Sequence, residues 1–76
     1  MDDAPELDAL GLLCPLPVLK LRKRLAPLAP GEVLSMVADD PAAAIDVPHF
    51  CQEQGHTLLG VEDLGFPKQR YQVRKG

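Results

Sequence analysis

Gly11-Leu12-Leu13-Cys14-Pro15-Leu16-Pro17-Val18-Leu19-Lys20-Leu21-Arg22-Lys23-Arg24-Leu25 is the stretch that decides the architecture. Its two prolines, one residue apart, belong in the first turn of a helix, where a missing N–H costs least. Beyond them, at 100° per residue, Val18, Leu21, Leu25 and Leu28 gather on one side and Lys20, Lys23 and Arg24 on the other. The spacing predicts an amphipathic helix running to about Ala26, stopped by Pro27 and Pro30-Gly31. Upstream, Glu6 to Leu10 reads as a short first strand that ends at Gly11. Strand, turn and helix in that order set up a β-α-β unit.

The rest of the chain continues the alternation. Glu32 to Ala38 is a nearly unbroken apolar run, the pattern of an interior strand. Asp39-Asp40-Pro41 is a cap followed by a first-turn proline. A second helix reaches to about Gln54, with Gly55 as its C-terminal stop. Pro48 leaves two options: the helix is kinked there, or residues 41–45 form a separate turn and Asp46 caps the true helix. His56 to Glu62 reads as a third strand, Leu64-Gly65-Phe66-Pro67 as a hairpin connection, and Gln69 to Arg74 as an alternating fourth strand. The order β-α-β-α-β-β predicts an α/β (α+β) two-layer sandwich: a four-stranded mixed sheet with two helices on one face.

Size and composition bound the chemistry. The sequence has 76 residues, 46% hydrophobic and 25% charged, which fits one domain spanning residues 1–76. A domain of this length hides only about 60% of its unfolded surface, too little for a deep cofactor cavity. Two cysteines make no disulfide framework, Asp2, Asp3, Glu6 and Asp8 crowd the start, and no apolar run approaches a membrane span. A cytoplasmic protein is expected. The net charge of −3 is laid out in blocks: acids only in residues 1–17, bases only in 18–30, acids only in 31–66 and bases only in 67–76. The acidic total gives no overall pull towards nucleic acid, so no direct nucleic-acid binding is expected.

Cys14 is the residue most suited to chemistry. The reading places it at the N-cap of the first helix, where unpaired N–H groups and the helix dipole stabilise a thiolate. Cysteines so placed have pKa values lowered to roughly 3.5–7.5. Pro15 and Pro17 stiffen the turn and leave the N–H groups of Leu16 and Val18 to face the sulfur. A right-handed crossover puts the ends of the first two strands on one sheet edge, so Asp40 is expected near the thiol, or simply capping the second helix. Cys51, mid-helix beside Phe50, reads as core. A disulfide between Cys14 and Cys51 needs a separation that sequence cannot supply, and Cys14, His49, Cys51 and His56 lack any standard zinc spacing. No metal and no bound cofactor is expected.

These residues carry a family likeness. Cys14-Pro15-Leu16-Pro17, preceded by Leu7-Asp8-Ala9-Leu10-Gly11-Leu12, resembles the Cys-Pro-x-Pro box of the TusA (SirA-like) sulfur carriers. The likeness continues through Arg22-Lys23, Pro30-Gly31-Glu32, Ala38-Asp39-Asp40-Pro41-Ala42, Asp46-Val47-Pro48, Phe50-Cys51, His56 and Arg70-Tyr71 to Arg74-Lys75-Gly76. It is closer to the TusA branch than to relatives sharing only the box. The resemblance implies that Cys14 accepts a sulfane sulfur as a persulfide from a cysteine desulfurase and relays it to a downstream acceptor protein. In that branch the relay feeds 2-thiolation of the tRNA wobble uridine; other members serve molybdenum-cofactor supply or sulfur oxidation. Gly11, Pro15, Leu16, Pro17 and Val18 would then shape the site, and Lys20, Arg22, Lys23, Arg24 and Asp40 would meet partners. Leu16 stands where an acidic residue is common in the TusA box, which bears on partner choice. A monomer is expected. The competing reading is a non-catalytic regulatory or interaction module of the same fold. A thiol peroxidase or disulfide reductase would call for a Cys-x-x-Cys pair, and the chain has none.

Overall fold

A computed structural model describes residues 6–76; the acids Asp2 and Asp3 of the first charge block lie outside them. The order is β1 (Glu6–Ala9), α1 (Leu16–Leu25), β2 (Val33–Ala38), α2 (Ala43–Gln54), β3 (Thr57–Asp63) and β4 (Gln69–Arg74). The strands lie in the order β1-β2-β4-β3. β1 pairs parallel to β2 in the register Leu7 to Met36, and β4 pairs antiparallel to both β2 and β3. Helix α2 therefore carries the chain from β2 past a one-strand gap to β3, and β4 turns back to fill that gap. The expected mixed sheet with two helices on one face is what forms.

Alternation assigns the faces. Leu7 and Ala9 of β1, Leu34, Met36 and Ala38 of β2, and Tyr71 and Val73 of β4 point inward and pack against Leu21 and Leu25 of α1 and Val47, Phe50 and Cys51 of α2. Val18 and Leu28 lean on this core from the edge of the same helical stripe. Tyr71 is 1% exposed, and its hydroxyl donates to Gln69 Oε1 at 2.9 Å, so burying the ring strands no polar group. On the open face Arg70 joins Glu6 and Glu62, at 2.6 Å each, linking β1 and β3 across the two central strands. The three side chains are solvated, so this clamp adds little to stability.

Pro48 is resolved in favour of one helix. Ala43, Ala44 and Ile45 donate to the carbonyls of Asp40, Pro41 and Ala42, a tight i to i+3 entry that passes directly into α2. The helix continues through Pro48, and Ala44, whose carbonyl loses its partner there, is exposed to water. Asp46 sits in the first turn of α2 and not at its cap. Gly55 ends the helix at φ +77°, and the N–H groups of Gly55 and His56 both bond the Cys51 carbonyl.

The end of α1 is held by a residue remote in sequence. Lys75 Nζ donates to the carbonyls of Leu25 and Leu28 at 2.9 Å and of Ala26 at 3.3 Å. Its backbone also pairs with Gly31 and Glu32. A cation on the last carbonyls of a helix satisfies orphan acceptors and complements the dipole. Lys75→Met, which keeps the stem and removes the donors, is expected to lower unfolding free energy by about 1–2 kcal/mol. Urea denaturation measures it, and an unchanged midpoint would remove Lys75 from the cap.

Candidate functional site

The site is built where two loops leave the sheet on the same edge. The β1–α1 loop turns at Gly11, whose φ of +77° is the left-handed conformation that favours glycine. Its N–H donates to Asp39 Oδ1 at 2.9 Å, and the N–H of Cys14 donates to Asp40 Oδ2 at 2.5 Å. Asp39 and Asp40 follow β2, so the loop preceding α2 holds the loop that carries the cysteine. Asp40 also acts on its own loop, where its Oδ1 accepts from the Ala42 N–H at 3.1 Å, at the entry to α2. Asp40 is therefore the expected neighbour of the cysteine loop but not the cap of the second helix: Ala42 holds the N-cap with no side-chain cap hydrogen bond, and Asp40 steadies the turn before it.

The helix start differs in detail from the sequence expectation. Pro15, not Cys14, occupies the N-cap, α1 begins at Leu16, and Pro17 lies in its first turn. The Leu16 N–H donates to the Leu13 carbonyl at 2.8 Å, so it closes the turn and does not face the sulfur. Cys14 is exposed, and Sγ points across to α2, 2.9 Å from Asp46 Oδ2. An ionised carboxylate only accepts, so the thiol is the donor.

This contact reverses the expected electrostatics. The hydrogen bond to Asp46 raises the Cys14 pKa above the usual thiol value, with further upward contributions from partial desolvation and from the charges of Asp46 and Asp40. The helix start supplies less than two nearby carboxylates remove, because dipole effects fall off within a turn and Sγ faces sideways. The raised pKa favours the thiol form of Cys14 over the thiolate. Cys51 lies in the core, 2% exposed, and burial pushes its thiol up as well. Both cysteines are free.

Asp46, His49, Phe50 and Glu53 of α2 face Cys14, Pro15 and Val18 across a shallow groove. His49 Nε2 stands 3.3 Å from Glu53 Oε2. Leu13, Leu16 and Leu19, next in sequence to Cys14, Pro15 and Val18, and Ile45, next to Asp46, are exposed, Leu13 at 69% and Ile45 at 74%. Of the residues expected to shape the site or meet partners, Pro15 and Val18 line the groove with Cys14 and Asp40 bonds its N–H, while Gly11 bonds Asp39 in the same loop, Leu16 closes the turn on Leu13 and Pro17 is buried in the first turn of α1. The basic group does not join them. Lys20 Nζ donates to the Asp8 carbonyl at 2.5 Å, and Arg22, Lys23 and Arg24 lie in the last turn of α1, roughly 12–15 Å along the axis from the cysteine. Asp46 is the residue that sequence reasoning assigned otherwise, as an optional cap. Its signal is the spacing 46, 49/50, 53, which puts an acid, a histidine, an aromatic and an acid on one helix face. Among the described residues no three His, Cys, Asp or Glu side chains gather as a metal ion would require.

Comparison with known proteins bears on this site. A family model described as sulfurtransferase TusA matches residues 5–75. The crystal structure of a SirA-like protein from Desulfitobacterium hafniense superposes with a TM-score of 0.81 at 24% identity, covering 93% of this chain and 96% of that one. The two share the fold.

Asp40→Ala removes both the Cys14 and the Ala42 hydrogen bonds. It is expected to cost about 1–3 kcal/mol and to speed amide exchange at both residues. Hydrogen exchange at these two amides checks it, and unchanged protection would mean that Asp40 does not tie the loops together.

Proposed function

Since the chain belongs to the TusA sulfurtransferase family, whose members are sulfur-relay carriers, we propose that it carries sulfur as a persulfide on Cys14 and passes it between two partner proteins. The observation that carries this reading is an exposed thiol at the head of α1, on a loop pinned by Asp39 and Asp40 and bordered by exposed apolar side chains. A pinned loop presents one sulfur in a fixed place, and the apolar rim is a surface that a larger enzyme can cover. Among the described residues no helix is long and apolar enough to cross a membrane.

The donor is a cysteine desulfurase, and any pyridoxal phosphate belongs to it. In the first step Cys14 sulfur attacks the outer sulfur of the donor persulfide. The donor's S–S bond breaks, the donor leaves as a thiolate that takes up the proton lost by Cys14, and the sulfane sulfur now sits on Cys14. In the second step an acceptor thiolate attacks that outer sulfur and Cys14 returns as the thiol. Sulfur changes hands twice with no net oxidation. Rates of such exchanges depend on thiolate fraction and on access. The access is present, and the thiol must leave Asp46 and give up its proton when the donor docks. The destination is tRNA wobble-uridine 2-thiolation, with molybdenum-cofactor supply or sulfur oxidation as the alternatives. Leu16 and the rim around it are where the acceptor is chosen.

Incubation with a desulfurase and cysteine is expected to add about 32 Da, one sulfur, to the chain by persulfide transfer. The increment should persist in Cys51→Ser and disappear in Cys14→Ser. Intact-mass measurement reads both. An increment retained in Cys14→Ser overturns the assignment to Cys14, and none in the wild type favours the interaction module.

A further inference from the structure

The contact between Cys14 and Asp46 is more than a neighbourly one. Sγ and Oδ2 are 2.9 Å apart on two different elements, thirty-two positions apart in sequence. Holding a carboxylate beside a thiol is a poor way to make a nucleophile, since it favours the protonated sulfur. It is a good way to tell two states of one sulfur apart. The empty side chain ends in S–H, a donor. The loaded side chain ends in a second sulfur, which loses its proton more readily than the parent thiol and then carries a negative charge.

We propose that Asp46 is a positioning residue that distinguishes the empty carrier from the loaded one. Its carboxylate retains the Cys14 thiol by accepting its hydrogen, and it repels the terminal sulfur of the persulfide, turning that sulfur out of the groove towards the acceptor. The proposal rests on the persulfide reading of Cys14. The other charged and titratable groups facing this sulfur act in the same sense or stand further off. Asp40 bonds the Cys14 N–H and adds a second negative charge. Asp39 bonds Gly11 in the same loop. On α2, Glu53 and His49 line the groove and pair with each other. On α1, the bases of the last turn lie at its far end.

The atoms balance without an added reagent. Donor–S–SH and Cys14–SH give donor–SH and Cys14–S–SH, whose outer sulfur then loses its proton to water. The thiol proton ends on the departing donor sulfur, and Asp46 ends as the carboxylate it began as. Loading exchanges an attraction at Asp46 for a repulsion, so the same side chain that restrains the empty sulfur exposes the full one.

Asp46→Asn removes the charge and keeps the shape; Asp46→Glu keeps the charge. Both are made with Cys51→Ser so that only Cys14 reacts. On the empty protein, the pH profile of iodoacetamide alkylation is expected to move to lower pH in Asp46→Asn. At about pH 7.5 the rate should then rise three- to tenfold, while Asp46→Glu stays near the parent. On protein loaded with desulfurase and cysteine, sulfur release to cyanide is expected to be several-fold slower in Asp46→Asn than in the parent. An alkylation profile that does not move, or a release rate equal to the parent, overturns the proposal. A parent that never loads overturns the carrier reading and the loaded-state half with it. The alkylation arm needs no donor, so the two failures are distinguishable. Matched far-ultraviolet circular dichroism excludes misfolding as the cause of either change.

Discussion

Two carboxylates hold the working end of this molecule together. Asp39 and Asp40 leave the end of β2 and take the N–H groups of Gly11 and Cys14, so the two loops at this edge of the sheet become one unit. Without that link the cysteine loop would be a short irregular connection with unpaired donors. With it, the backbone at Cys14 is fixed relative to both strands and, through the Ala42 N–H, relative to α2. Everything local to the sulfur follows: Leu16 can close its turn on Leu13, α1 can start at a set angle, and Asp46 comes within reach of Sγ. The cost is electrostatic, since the same acids crowd negative charge around a thiol.

That balance explains why the site looks unlike an activated cysteine. A cysteine that must react with many substrates needs a standing thiolate. On the proposed carrier reading a standing thiolate is not needed, because a dedicated donor would complete the environment when it docks. Keeping the free protein's sulfur protonated limits chance reaction with oxidants and electrophiles, which attack the thiolate. On that reading, reactivity and selectivity would both belong to the complex.

The architecture was legible because its signals are local. Pro15 and Pro17 mark where α1 begins, Gly55 marks where α2 ends, and the alternation of Arg70, Gln72 and Arg74 with Tyr71 and Val73 sets the faces of β4. Crossover handedness alone put Asp40 on the edge with Cys14. What could not be read depends on side-chain direction across elements. The polarity of α1 suggested an acidic thiol, but Sγ faces a different helix, and only the packing of α1 against α2 reveals that Asp46 is opposite. The insertion of β4 between β2 and β3 is likewise a matter of three-dimensional closure: the apolar run of β2 announces an interior strand without naming its neighbours. Lys75 reads as one of several surface bases until the chain has folded back on α1.

That last contact ties the end of α1 to a residue just beyond β4. The carbonyls ending α1 are satisfied by Lys75 at the far end of β4, and the centre of the sheet pairs Met36 with Tyr71. Contacts this far apart in sequence require the closure of long loops, an entropic cost set against the contacts that follow. Removing β4 would therefore leave the last carbonyls of α1 without their cation and β2 without one of its two neighbours.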